Sequence, residues 1–192
     1  MGLIKSVRGF TPKLGKGCYV AETAVIIGDV IAGDQCSFWF SVVVRGDVNS
    51  IRIGNKVNIQ DGTVLHCLYQ RSVIEIGHNV SIGHNVVIHG ANIHDNVLIG
   101  MGAILLDNSV IGENSIIAAG SVVLAGTLVE PGSIYGGVPA RRLKDVDPQQ
   151  TSEMINRIAD DYIMYSGWYD RDEGQGTRDK GRGTRDEVNA TG

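Results

Sequence analysis

The chain of 192 residues has no apolar run approaching the roughly 18 residues of a membrane-spanning helix, and its opening MGLIKSVRGF carries no signal-peptide core. A soluble cytoplasmic protein is the expectation these two absences leave. Lysine and arginine total 17 against 21 acidic residues and form no dense cluster, so neither nucleic acid nor a membrane surface is an expected partner. The three cysteines, Cys18, Cys36 and Cys67, are widely spaced with no CxxC, which favours a reducing compartment with buried free thiols. Aromatic residues are only 6% of the chain, whereas glycines number 26 and isoleucine and valine are abundant. That composition speaks against a helical bundle and for a β-rich chain with many turns.

What the chain does have is a rhythm. From residue 93 it divides into IHDNVL, IGMGAI, LLDNSV, IGENSI, IAAGSV, VLAGTL and VEPGSI. An aliphatic residue opens each unit, from Ile93 through Ile99, Leu105, Ile111, Ile117 and Val123 to Val129, and a small or β-branched residue follows four positions on. A strict period of six suits neither a helix nor a simple strand. It builds a parallel β-helix, three hexapeptides to each triangular coil, with the opening aliphatics stacked along the axis. The phase extends backward through Ala21, Ile27, Ala32, Phe38, Val44, Ile53, Ile59, Leu65, Ile76, Ile82 and Ile88. Two steps are one residue short, Ile27 to Ala32 and Ile88 to Ile93; two are long, Val44 to Ile53 by three and Leu65 to Ile76 by five. The long steps predict loops protruding at corners of the solenoid, where function usually sits.

The expected fold is all-β, a β-helix of about seven coils over residues 18–140. Residues 1–17 should cap one end. A C-terminal α-helix within 141–169, N-capped by Asp147 ahead of Pro148, should lie along the prism. Residues 170–192 are polar, Gly-rich and almost free of apolar side chains, and should be disordered.

All five histidines lie between His66 and His94. Assigning hexapeptides to the three faces in rotation puts Val44, Leu65 and Ile88 on one face in successive coils. The residues after them, Arg45, His66 and His89, therefore stack, with the two histidines one strand spacing apart, about 4.8 Å. That separation suits two imidazoles on one tetrahedral ion with bonds of about 2.0–2.1 Å. His84, on the preceding face near a corner, is badly placed to reach the same ion within its own chain. A neighbouring prism can present it, so a ligand set split between subunits of a cyclic homotrimer is predicted. Three neutral imidazoles favour Zn²⁺, with Fe²⁺ or Co²⁺ admissible, and they leave a fourth position open as catalytic zinc sites do. His78 and His94 are expected to be solvated turn residues.

The motifs VVVRGD (42–47), NIQDGTVLH (58–66), SIGHNVVIHG (81–90) and GGVPAR (136–141) resemble those of the γ-class carbonic anhydrase family of hexapeptide-repeat proteins, over roughly residues 10–169. The resemblance implies a left-handed coil and a trimer whose metal sits between subunits, held by His66 and His89 of one chain and His84 of the next. It implies that Gln60 orients the metal-bound water or the bicarbonate. It also implies that Arg45 and Asp61 pair across the subunit contact with Asp47 beside them, and that Tyr162 of the terminal helix comes near the site. The activity implied is reversible hydration of CO2 to bicarbonate by a metal-bound hydroxide. One departure bears on the rate. The family's prototype carries acidic residues in the loops flanking the site, one of which shuttles protons. Here Asp47 is followed by Val48, and the loop CLYQRSVIE has its only carboxylate at Glu75, so no shuttle is apparent and hydration should be slow. Two other classes stay open: an acyl-CoA enzyme, thioesterase or acyltransferase, and a non-catalytic trimer that keeps metal for stability.

Overall fold

The computed structural model describes residues 2–172. The six-residue rhythm becomes a parallel β-solenoid of about seven turns with three flat faces. On the first face Val44, Leu65, Ile88, Leu105 and Val123 stack in register, every one fully buried. Phe38, Ile59, Ile82, Ile99 and Ile117 do the same on the second, and Ile53, Ile76, Ile93, Ile111 and Val129 on the third. Most strands are only two or three residues long, yet each finds a hydrogen-bonded partner one coil above and one below. The alternation of the pleat then decides what each neighbour of an opener does: the opener points into the axis, and the residues before and after it point outward.

The three corners are not equivalent. Where the third face turns into the second, Gln35, Lys56, Asn79, Asn96 and Asn114 all sit in the left-handed region, and side chains form a ladder. Lys16 N–H donates to Asp34 Oδ1, Asp34 N–H to Asn55 Oδ1, Asn55 N–H to His78 Nδ1 and His78 N–H to Asp95 Oδ1, at 2.7–3.0 Å. Each coil thus satisfies backbone donors of the coil before it. His78 is a rung of this ladder, which the sequence reading took for a merely solvated residue. Register puts Val20 and Ile26, not the expected Ala21 and Ile27, in the stacked columns with Phe38 and Val44, so the step from Ile26 to Ala32 is a regular six, and the three irregular steps that remain all fall at the corner where the first face turns into the third. There the bulge Asp47–Ser50 and the loop Cys67–Val73 project, because no such ladder constrains that edge.

Both ends of the solenoid are closed by strand. Leu3–Lys5 pairs with Val25–Ile27 and Lys13–Leu14 with Ile31–Ala32, so the N-terminal residues expected as a cap begin the coil itself. The expected helical segment 141–169 opens instead on a strand. Arg141–Asp145 runs antiparallel to Ser133–Gly136 and covers the edge that the last coil would otherwise leave unpaired. Helix begins at Pro148, widens through a π-helical stretch at Thr151–Asn156, and continues as Arg157–Asp172. Asp147 and Gln150 cap it reciprocally, Gln150 N–H donating to Asp147 Oδ1 at 2.8 Å and Asp147 N–H to Gln150 Oε1 at 3.2 Å. Its apolar side buries Ile155 and Ala159 on the second face, where Leu98, Ile116 and Ile134 point outward to meet it. Among the described residues no helix is long and apolar enough to cross a membrane. The segment 173–192 of the expected tail lies outside the described residues.

Candidate metal centre

Register places the histidines as the face arithmetic requires. Arg45 pairs with His66 and His66 with His89 on adjacent strands of the first face, and the two rings stand 5.4 Å apart, centroid to centroid. His66 Nε2 is buried without a hydrogen-bond partner, and so is Asp47 Oδ1, 3.3 Å from it. Two buried polar atoms side by side without hydrogen-bond partners fit a site for a cation. Burial, with the Arg45 charge nearby, holds the His66 ring below the ordinary histidine range, so it is neutral and able to ligate. Burial works against ionisation of Asp47, but the hydrogen bond and charge of Arg45, at 2.7 Å, hold its carboxyl below the usual range.

His89 is oriented from behind. Its Nδ1 lies 2.9 Å from Asp107 Oδ2, and since a carboxylate only accepts, Nδ1 is the donor and Nε2 is the nitrogen turned to the site, with its lone pair available in the neutral ring. Asp107 is fixed in turn by Ser72 Oγ, which donates to its Oδ1 at 2.6 Å and accepts Leu68 N–H at 2.9 Å. These contacts keep the Asp107 carboxyl ionised despite burial. The network fits only because residue 90 is glycine: a Cβ there would lie 2.1 Å from Ser72 Oγ and 2.4 Å from Asp107 Oδ1. Asp107 and Ser72 escaped the sequence reading. The signal was available, since Asp107 lies in the next coil, one residue past the position that follows Leu105 as His89 follows Ile88, but only a search for partners behind the ligands would have used it.

The second face carries the other candidates. His84 Nδ1 lies 2.9 Å from Asp61 Oδ2, the arrangement that His89 has with Asp107. Gln60 is buried, and its Nε2 donates to Asn58 Oδ1 at 3.0 Å, while Asn58 Nδ2 donates to Ser81 Oγ at 2.7 Å, so the amide is held in one orientation. Tyr162 packs edge-on to Trp39 at 5.3 Å. Burial, then the Asp61 charge and Tyr165, push its pKa up to about 12, so it stays a phenol. Gln60, His84 and Tyr162 line one cavity of about 670 Å³ between the terminal helix and the second face, with Leu98, Ile116 and Met101 along its length.

The expected site residues therefore fall into two half-sites, Arg45, Asp47, His66 and His89 on the first face and Gln60, Asp61, His84 and Tyr162 at the second. Within the chain Arg45 pairs with Asp47, and Asp61 with His84. Among the described residues of one chain, no three His, Cys, Asp or Glu side chains gather as one metal site. The first half-site sits on an unusual surface. The outward residues before the openers are Val43, Val64, Val87, Ile104 and Val122, an apolar column in register beside His66 and His89.

The comparisons with known proteins agree with this architecture. Residues 90–125 match the family model described as bacterial transferase hexapeptide (six repeats). The chain is 40% identical to a carbonic anhydrase of Geobacillus kaustophilus, over 87% of this chain and 91% of that one. It is 39% identical to gamma carbonic anhydrase 2, mitochondrial, of Arabidopsis thaliana, over 80% of this chain and 56% of that one. A crystal structure of a hexapeptide transferase family protein from Anaplasma phagocytophilum superposes with a TM-score of 0.83 at 35% identity, covering 87% of this chain and 98% of that one. Taken with the register of the histidines on the solenoid, these similarities show that the chain belongs to the γ-class carbonic anhydrase family of hexapeptide-repeat proteins.

Proposed function

We propose that the chain works as a homotrimeric, metal-dependent carbonic anhydrase-like lyase, each site taking His66 and His89 from one subunit and His84 from the next. The observation that carries the reading is the pair of incomplete half-sites: three histidines, His84 and His89 each with Nδ1 on a carboxylate and His66 with an orphaned Nε2, divided between two faces of one prism. The apolar column of the first face gives the neighbouring prism a surface to cover, and closure by rotation completes every site at once. Zn²⁺ is the ion this donor set favours, with Fe²⁺ or Co²⁺ chemically acceptable.

A divalent ion so held supplies a Lewis acid that brings the pKa of water to about 7. The chain's own groups do the rest. Asp107 fixes the His89 tautomer, and Arg45 with Asp47 keeps a charged pair at the edge of the site. Gln60, held by Asn58, offers an amide of fixed orientation to a bicarbonate oxygen. Tyr162, a phenol at neutral pH, can donate a hydrogen bond but cannot serve as a base. Asp47 is held ionised by Arg45, so it is a weak carrier for the released proton, and slow turnover is expected.

A second reading has its own support. The long apolar cavity beside Gln60 and His84 has the shape for an acyl chain, and the similar solved structure is of a hexapeptide transferase family protein. A ¹⁸O-exchange assay for CO2 hydration, run on metal-loaded protein beside hydrolysis of a panel of acyl-CoA thioesters, separates the two. The shared site is tested by mixing His66→Ala and His84→Ala subunits, each inactive and metal-poor alone. In statistically mixed trimers about a quarter of the sites recover all three ligands. Recovery of none would show that all three histidines must come from one chain.

A further inference from the structure

The N-terminal end of the solenoid holds two thiols that the metal chemistry does not use. Tyr19–Val20 pairs in register with Ser37–Phe38, and Tyr19 N–H donates to Cys36 O at 2.9 Å, so Cys18 and Cys36 are direct neighbours on adjacent coils. Strands so paired lie about 4.8 Å apart, inside the Cα window of about 4.4–6.8 Å that a disulfide spans. The thiols are within hydrogen-bonding reach of one another. Each also reaches a backbone carbonyl, Cys18 Sγ that of Gly33 at 3.2 Å and Cys36 Sγ that of Gly54 at 3.1 Å. Tyr19–Val20 is the outermost strand of its sheet, and Cys18 is half-exposed beside the exposed Gly17, whereas Cys36 is buried. The attacking and the resolving sulfur of an exchange reaction differ in the same way.

We propose that Cys18 and Cys36 form a reversible disulfide that ties the first coil of the solenoid to the second. The oxidant is a low-molecular-weight disulfide such as oxidised glutathione. Cys18 thiolate attacks one sulfur of that disulfide and displaces a first thiol. Cys36 then attacks Cys18 Sγ, breaks the mixed disulfide and releases a second thiol, its proton leaving with the displaced sulfur. Two protein thiols are oxidised and one small disulfide is reduced to two thiols. The hydrogen bond from Cys36 outweighs burial and brings the Cys18 thiol down to about 7, while the same bond and burial push Cys36 up. Cys18 is therefore the thiolate available at neutral pH. Cys67 differs in each respect: it is fully buried, its pKa is pushed up to about 11, and its Sγ is directed at Ser50 O.

The staple has a consequence for the terminal helix. Tyr19, next to Cys18, stacks at 5.2 Å on Trp39 and at 5.3 Å on Tyr169. Locking Cys18 to Cys36 fixes the ring on which the far end of that helix rests.

The test equilibrates the full-length protein with oxidised glutathione and counts thiols after denaturation. The count should fall from three to one. The tryptic peptide 17–45, which carries both cysteines, should lose two hydrogen atoms, and the peptide 57–71 with Cys67 should be unchanged. Dithiothreitol should restore all three thiols. Cys18→Ser, at the half-exposed edge, should keep its two remaining thiols under the same treatment, whereas Cys36→Ser, which lacks the resolving thiol, should hold a glutathione adduct on Cys18. A count that stays at three, a glutathione adduct that persists on Cys18 of the parent protein, or a cross-link that includes Cys67 would each overturn the proposal.

Discussion

The first and third faces of the prism are written in the same hexapeptide and stack to the same core, yet they present opposite surfaces. Both carry a histidine directly after an opener: His89 follows Ile88 on the first face, and His94 follows Ile93 on the third. His89 has His66 beside it and Asp107 behind it. His94 stands exposed, with Gly77 and Gly112 as its neighbours in the column. The residues before the openers differ in the same sense: Val64 and Val87 on the first face answer to Glu75 and Asn92 on the third. A histidine in a repeat thus tells little by its position in the unit. The column it belongs to and the carboxylate one coil away tell much more.

The largest test of that contrast is a charge placed in each column. If the proposed homotrimer packs on this column, Val87→Lys should dissociate it to single chains and lower metal uptake, because each contact would lose the about 1.5–3 kcal/mol of a buried valine and gain an unpaired ammonium. Glu75→Lys, one column over, should leave the molar mass unchanged by light scattering. Equal behaviour of the two variants would erase the distinction between the faces.

Next in size is the carboxylate behind His89. Asp107→Asn should weaken metal affinity about 10–100-fold, the usual cost of losing a partner that orients a ligand histidine, while circular dichroism keeps its β-solenoid form. Competition with a chromophoric chelator measures it. An affinity equal to that of the parent protein would mean that Asp107 serves packing alone.

The smallest effects separate the two histidines outside the site. His78→Ala removes the acceptor of Asn55 N–H and should cost about 0.5–1 kcal/mol in denaturant unfolding. His94→Ala should stay within about 0.5 kcal/mol, as exposed substitutions do. Neither should change metal content.

Much of this molecule can be read from a period of six. The openers from Phe38 to Val129 are the core, His66 and His89 are stacked, and Asp147 caps the helix, all as the spacing implies. These features were legible because a repeat turns sequence distance into spatial distance: residues one coil apart are neighbours by construction. The strand Arg141–Asp145 was not legible, since its five exposed residues carry no alternation and its pairing is dictated by the open edge it meets. The Asp107–Ser72 network was hidden for a related reason. Ser72 reaches its partner from the loop Cys67–Val73, whose path no periodicity sets.

The sequence by itself determined the prism, its stacked openers and the alignment of two imidazoles on one face, because those follow from local periodicity and from the pleat. Only the tertiary structure decided which carboxylate each ring faces. It also decided that the apolar column flanks His66 and His89 and that Cys18 lies against Cys36. Those relations depend on how the irregular corner, the two ends and the terminal helix close around a regular core, and closure is a property of the whole chain.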